Sequence, residues 1–131
     1  MIKFFTKHKI IFYSSNFILI LLYLFPGSLI GYFLYGDFKL QPQLTRDYII
    51  SSNHLYAFAM LSLIGFLTYK NSKKIRYLSA YLITVSIFLE IFHNFIPERS
   101  FEYSDLFGNL AGVIIVIIVF NLLKIYENSK N

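Results

Sequence analysis

The sequence predicts an all-α polytopic membrane protein that crosses the bilayer four times, with both ends in the cytoplasm. Three observations carry that expectation. Of the 131 residues, 56% are hydrophobic and only 15% are charged, whereas soluble domains carry about 25% charged residues. So little polar surface cannot cover a water-soluble globule. The charges are also segregated: none falls between Lys9 and Asp37, between Asp47 and Lys70, or between Asp105 and Lys124, and residues 77–97 hold one acid, Glu90. Each of these stretches can supply the ~17–25 helical residues that a hydrocarbon core requires. Finally, Lys3, Lys7, Lys9, Lys70, Lys73, Lys74, Arg76, Lys124 and Lys130 lie on one side of the four stretches, against Lys39, Arg46 and Arg99 on the other. Lysine and arginine collect on the cytoplasmic side of membrane proteins, which turns the loops at 36–47 and 97–104 outward.

The first helix is expected over residues 4–25, apolar to Phe25 and kinked or ended by Pro26-Gly27. Residues 28–35 remain apolar and either continue that helix or fold back along the outer surface. The loop at 36–47 contains Gln41, Pro42, Gln43 and charges of both signs. A second helix over 48–69 ends at a basic loop, 70–76. A third spans 77–96 and stops at Pro97, and a fourth spans 105–125, followed by a polar tail expected to fray. The basic start and the apolar run after it resemble a signal peptide. That run is longer than the ~7–15 residues of a signal core, and no Ala-x-Ala site follows it, so it reads as a retained helix. The four helices form a single domain over 1–131.

Composition excludes several functions. The net charge of +5 comes from cations flanking apolar helices, not from a basic patch interleaved with aromatics, so no nucleic-acid partner is expected. Without cysteine there are no disulfides, thiolate ligands or cysteine nucleophiles. With no phosphate-cradling glycine loop and no serine nucleophile elbow, no cofactor is expected. Membrane lipids are the partners the composition implies. Oligomeric state is left open.

The candidate site begins with Glu90. A carboxylate at the centre of a membrane helix costs on the order of 2.5–3.5 kcal/mol on insertion scales and is seldom kept without a partner or a purpose. Glu90, His93, Asn94 and Pro97 share one face of a helix by their i, i+3, i+4 and i+7 spacing. Asp105, Gly108, Asn109 and Gly112 repeat that spacing on the fourth helix, and His54 lies near the outer end of the second. The expected topology brings His54, Glu90, His93, Asn94, Asp105 and Asn109 to one depth, with Arg99 in the loop above. Gly108 and Gly112 form a small-xxx-small pattern for close helix approach. Each residue also has a structural reading: Glu90 as a protonated hydrogen bonder, His54 as an interfacial residue, Arg99 and Asp105 as a cap and surface pair, Asn109 as an interhelical bond. Metal is not expected. His54, Glu90, His93 and Asp105 are acceptable zinc ligands, but Glu-x-x-His occurs once and no His-Glu-x-x-His is present.

The run Glu90, Pro97, Arg99, Asp105, Asn109 and Gly112, at these spacings, resembles the signature of VanZ-like membrane proteins. The stretch His54-Leu-Tyr-Ala-Phe58 resembles that family's second block, a histidine followed by aromatics at the start of a helix. His93 stands where the family usually has glutamine, Glu98 where glycine is common, and the acid–lysine pair before the histidine is absent. The resemblance implies a bacterial inner-membrane protein of the cell envelope; the best-known member is associated with resistance to the glycopeptide teicoplanin.

Three functions fit these residues. The first is an outward polar pocket for a lipid-linked or amphiphilic envelope ligand, lined by His54, Glu90 and Asp105, with Arg99 attracting a phosphate or carboxylate. The second is a membrane enzyme acting on a lipid or envelope precursor, with Glu90 or His54 as acid or base. The third is a non-catalytic assembly partner of an envelope complex.

Overall fold

The computed structural model describes residues 2–130, and among them the secondary structure is helical throughout. In chain order the elements are α1 (Ile2–Lys7), α2 (Ile10–Leu24), α3 (Leu29–Tyr35), α4 (Ser52–Tyr69), α5 (Ile75–Phe92), a 3₁₀ turn (His93–Phe95) and α6 (Tyr103–Ser129). Two spans, Ile75–Phe95 and Tyr103–Ser129, are long and apolar enough to cross a membrane, and α2 with α3 would make a third if that bent pair counts as one span.

Several boundaries differ from the sequence expectation for identifiable reasons. The first helix is interrupted at His8–Lys9. At Pro26 it must end, because proline has no N–H to donate back along the helix. Gly27 then takes φ 89°, a backbone conformation that costs glycine nothing. Ser28 caps the next element: its N–H donates to Phe38 O at 2.7 Å, and its hydroxyl accepts from Gly31 N at 2.9 Å. The result is an 85° bend between α2 and α3, so residues 28–35 fold back and do not extend the helix. Helix α4 starts four residues later than expected, where the Asp47 carboxylate accepts the Ser52 N–H at 2.7 Å. That bond holds the Asp47 carboxyl below its usual range. Helix α6 keeps its hydrogen bonding through Ser129, so the expected frayed tail is helical.

The helices pack around Phe12, Leu19 and Tyr23 of α2, Phe58, Leu61, Phe66 and Tyr69 of α4, Leu78, Leu82 and Leu89 of α5, and Val113 of α6. Their outward faces stay apolar: Phe17, Met60, Phe88, Ile118 and Leu122 are all exposed. Hydrocarbon can solvate that exterior, because each helix satisfies its own backbone. Lipid tails are as apolar as leucine, so close packing and interhelical hydrogen bonds, rather than hydrophobic burial, must hold such helices together.

The most extensive pairing is α4 with α6, and the two glycines explain it. A Cβ at Gly108 would lie 2.6 Å from Ser51 O, and one at Gly112 would strike Leu55 O and come within 2.8 Å of Ala59 N. Only hydrogen at both positions lets the backbones approach this closely. At the far end, Tyr13 Oη lies 2.8 Å from Tyr69 Oη and Lys70 Nζ lies 2.8 Å from Glu127 Oε1, which gathers the basic segments at one end of the bundle.

Candidate functional site

The Gly108–Gly112 contact brings the first turn of α4 against the first turns of α6, and a polar cluster forms there. Ser51 N donates to Ser104 O at 3.0 Å, which fixes the two helix starts side by side. Asn109 of α6 is fully buried, and its amide bridges the bundle. Its Nδ2 donates to Ser86 O of α5 at 3.1 Å, and its Oδ1 accepts from Tyr23 Oη of α2 at 2.8 Å. That oxygen also lies 3.0 Å from His54 Nδ1. An amide oxygen can only accept, so His54 carries its proton on Nδ1. Its Nε2 therefore faces Asp105 Oδ2, 3.4 Å away.

Glu90 is fully buried beneath this pair. Its Oε1 accepts from Glu102 N at 3.1 Å and lies 3.3 Å from His93 Nδ1. On the opposite side of its ring, His93 Nε2 lies 3.1 Å from the Tyr23 carbonyl. A carbonyl only accepts, so Nε2 bears hydrogen, and a second proton must lie between Nδ1 and Glu90 Oε1. The other oxygen of Glu90, Oε2, is buried with no hydrogen-bond partner and sits 3.8 Å from His54 Nδ1. An unpaired buried acceptor costs on the order of 1–3 kcal/mol and calls for an explanation. The Tyr23 ring packs against both histidines, 5.0 Å from His54 and 5.7 Å from His93.

The sequence-derived residues therefore divide into groups. His54, Glu90, His93, Asp105 and Asn109 come together, and Gly108 and Gly112 make their approach possible. Asn94 does not join them: it is exposed and makes no side-chain hydrogen bond among the described residues. The reason is local winding, since α5 tightens into the 3₁₀ turn at His93. At three residues per turn, His93 stays above Glu90 while Asn94 rotates off the face. Arg99 turns to the end of α2: Nε donates to Phe25 O at 2.9 Å, and Nη2 donates to Leu22 O at 3.1 Å and Gly27 O at 2.7 Å. These carbonyls are ones a helix C-terminus leaves unsatisfied, and a cation there also complements the helix dipole. Burial pulls the Arg99 pKa below its ordinary value.

Two participants escaped the sequence reading. Tyr23 is one of 11 tyrosines and sits in an apolar run with no local pattern. Ser86 contributes through its backbone carbonyl, which side-chain identity does not reveal.

The mouth of the cluster is partly open, with the His54 side chain 14% and the Asp105 side chain 21% exposed. A separate cavity lies away from this cluster. It occupies about 920 Å³ at the opposite end of the bundle, between Phe66, Lys70, Arg76, Phe120 and Lys124. The chemistry at the α6 N-terminus is thus a compact polar cluster with an open edge. Comparison with protein-family models, curated proteins and solved structures gives no match for this chain.

Proposed function

We propose that the chain is a VanZ-like protein of the bacterial inner membrane, crossing it four times with both ends in the cytoplasm. Its outward-facing polar site binds the head of a lipid-linked or amphiphilic envelope ligand. The observation that carries this reading is the partly exposed His54–Asp105 edge above a buried carboxylate, Glu90, within an apolar helical exterior. A ligand with an apolar tail stays in the bilayer while its head reaches that edge. Arg99, held by three carbonyls, serves to position the 96–102 loop. On this reading the four spans are residues 4–25, which hold α2, then α4, α5 and α6, and the positive-inside rule orients them. Glu98, where VanZ-like proteins commonly have glycine, takes φ 63°, a backbone conformation that glycine adopts at no steric cost. By that same reading the protein contributes to glycopeptide tolerance.

Complementation of a deletion strain tests the site, with envelope lipids compared and membrane protein level measured alongside. Glu90→Gln and Asp105→Asn keep size and most hydrogen bonding. Each is expected to reach normal abundance and to abolish the envelope phenotype. Full complementation by both would leave the cluster a structural one. Reporter fusions after Lys74 and Lys130 are expected in the cytoplasm and one near Gln43 outside; Gln43 and Lys74 on the same side would overturn the topology.

A further inference from the structure

The corner formed by His54, Glu90 and Asp105 meets the requirements of a cation site. One donor atom from each residue lies within 4.8 Å of the other two, and the three come from separate helices, α4, α5 and α6. We propose that His54 Nε2, Glu90 Oε2 and Asp105 Oδ2 bind a divalent transition-metal ion, with zinc the best fit.

Three independent features point to it. Glu90 Oε2 is fully buried and unpartnered, 3.8 Å from His54 Nδ1 at the edge of the same ring, while Oε1 is occupied by Glu102 N and His93. A carboxylate fixed through one oxygen and free at the other is oriented as a metal ligand commonly is. His54 is fixed in the same manner. Its Nδ1–H donates to Asn109 Oδ1, which presents the Nε2 lone pair to the corner, the arrangement that holds most zinc-bound histidines. The His54 Nε2–Asp105 Oδ2 separation also fits. Two ligands each ~2.0–2.2 Å from a tetrahedral zinc stand about 3.3–3.6 Å apart, and the observed distance is 3.4 Å. A lone pair and a carboxylate oxygen at that distance repel each other unless a cation lies between them.

The donor set selects the ion. One imidazole and two carboxylates without a thiolate disfavour Cu(I), and three donors fall short of the six to eight oxygens that Ca²⁺ takes. Three protein ligands leave zinc a fourth position, at the exposed edge of His54 and Asp105, where water or an anionic ligand head can reach it. This deepens the reading of the site as an outward binding site, but its test needs no envelope ligand, so the two readings fail separately.

The experiment uses the full chain in detergent, stripped with a chelator and titrated with zinc, with magnesium and calcium in parallel. Every protein carries His8→Ala to remove the remaining histidine. The background protein is expected to bind one zinc per chain and to melt at a higher temperature with zinc than without. Glu90→Gln and Asp105→Asn are each expected to bind zinc at least 100-fold more weakly, a larger loss than the ~10–100-fold typical of outer-shell changes. Their metal-free melting curves report folding. If Glu90→Gln does not fold, Asp105→Asn, whose side chain is partly exposed, decides alone. Zinc binding by the background protein no tighter than by Asp105→Asn overturns the proposal and leaves a proton between His54 and Asp105.

Discussion

The two ends of the bundle solve the problem of polar groups in opposite ways. At the α6 N-terminal end, polar side chains are few, buried and joined across helices: Asn109 alone connects α2, α4, α5 and α6. At the α6 C-terminal end they are numerous, cationic and open, around the cavity near Lys70, Arg76 and Lys124. The first end is held by geometry, with glycine gaps, a single amide orientation and two histidines oriented by hydrogen bonds through both ring nitrogens or beside a carboxylate. The second is held by apolar packing of Phe12, Phe66, Tyr69 and Leu78, with the Lys70–Glu127 ion pair and the Tyr13–Tyr69 contact at its rim. Most of the cations therefore sit where they do least structural work. The specific structure sits at the end that holds Glu90 and Asp105.

Breaking the α6 N-terminal end is expected to have the largest effect. Gly112→Leu places a side chain into Leu55 O and Ala59 N, and backbone cannot yield as a flexible side chain can. Overpacking costs ~1–3 kcal/mol and sometimes more. In this tightest of the helix pairs the upper end is expected, with loss of a monodisperse peak in detergent size-exclusion chromatography. Gly112→Ala should be intermediate. Normal elution and melting of Gly112→Leu would remove the contrast between the two ends.

Asn109→Leu comes next. It removes the acceptor for Tyr23 Oη and His54 Nδ1 and the donor to Ser86 O. Orphaned buried groups cost on the order of 1–3 kcal/mol each, while interhelical hydrogen bonds in membranes average nearer 0.6 kcal/mol. A loss of about 2 kcal/mol in unfolding by denaturant lies between these scales. A loss below about 0.5 kcal/mol would mean the amide is not the keystone its bonds suggest.

The same contrast separates what was legible in the sequence from what was not. Helical spacing placed Glu90 with His93 and Asp105 with Asn109, because within one α-helix the periodicity fixes the face. It misplaced Asn94, because the change to 3₁₀ winding arises from how α5 ends, and nothing at position 94 announces it. The Pro26-Gly27 break was readable as a break, but the direction of the bend depends on Ser28 meeting Phe38 O, a contact between loops. Arg99 was legible as a cation near the site. Its targets are carbonyls at the end of α2 and just past it, and every residue has a carbonyl. Tyr23 and Ser86 were out of reach for the same reason: their roles come from the helix opposite them. The open, cationic end was fully legible as charge and says least about function.

The smallest effect is expected at that cationic end, from Lys70→Ala. The Lys70–Glu127 pair is short, 2.8 Å, but Glu127 is 55% exposed and Lys70 25% exposed. Water competes for both groups, and ordering two long side chains costs entropy, so such pairs contribute ~0–1 kcal/mol. Removing Lys70 should therefore lower stability by less than about 0.5 kcal/mol at low salt. The residual difference should vanish at 1 M salt, where charges are screened beyond ~3 Å. The measurement is thermal melting in detergent at both ionic strengths, with Glu127→Gln as the partner variant and the double variant closing the cycle. A loss above about 1 kcal/mol that persists in high salt exceeds what an exposed pair supplies. In that event Lys70 would be part of a packed, desolvated contact, and the two ends of the bundle would differ in charge but not in construction.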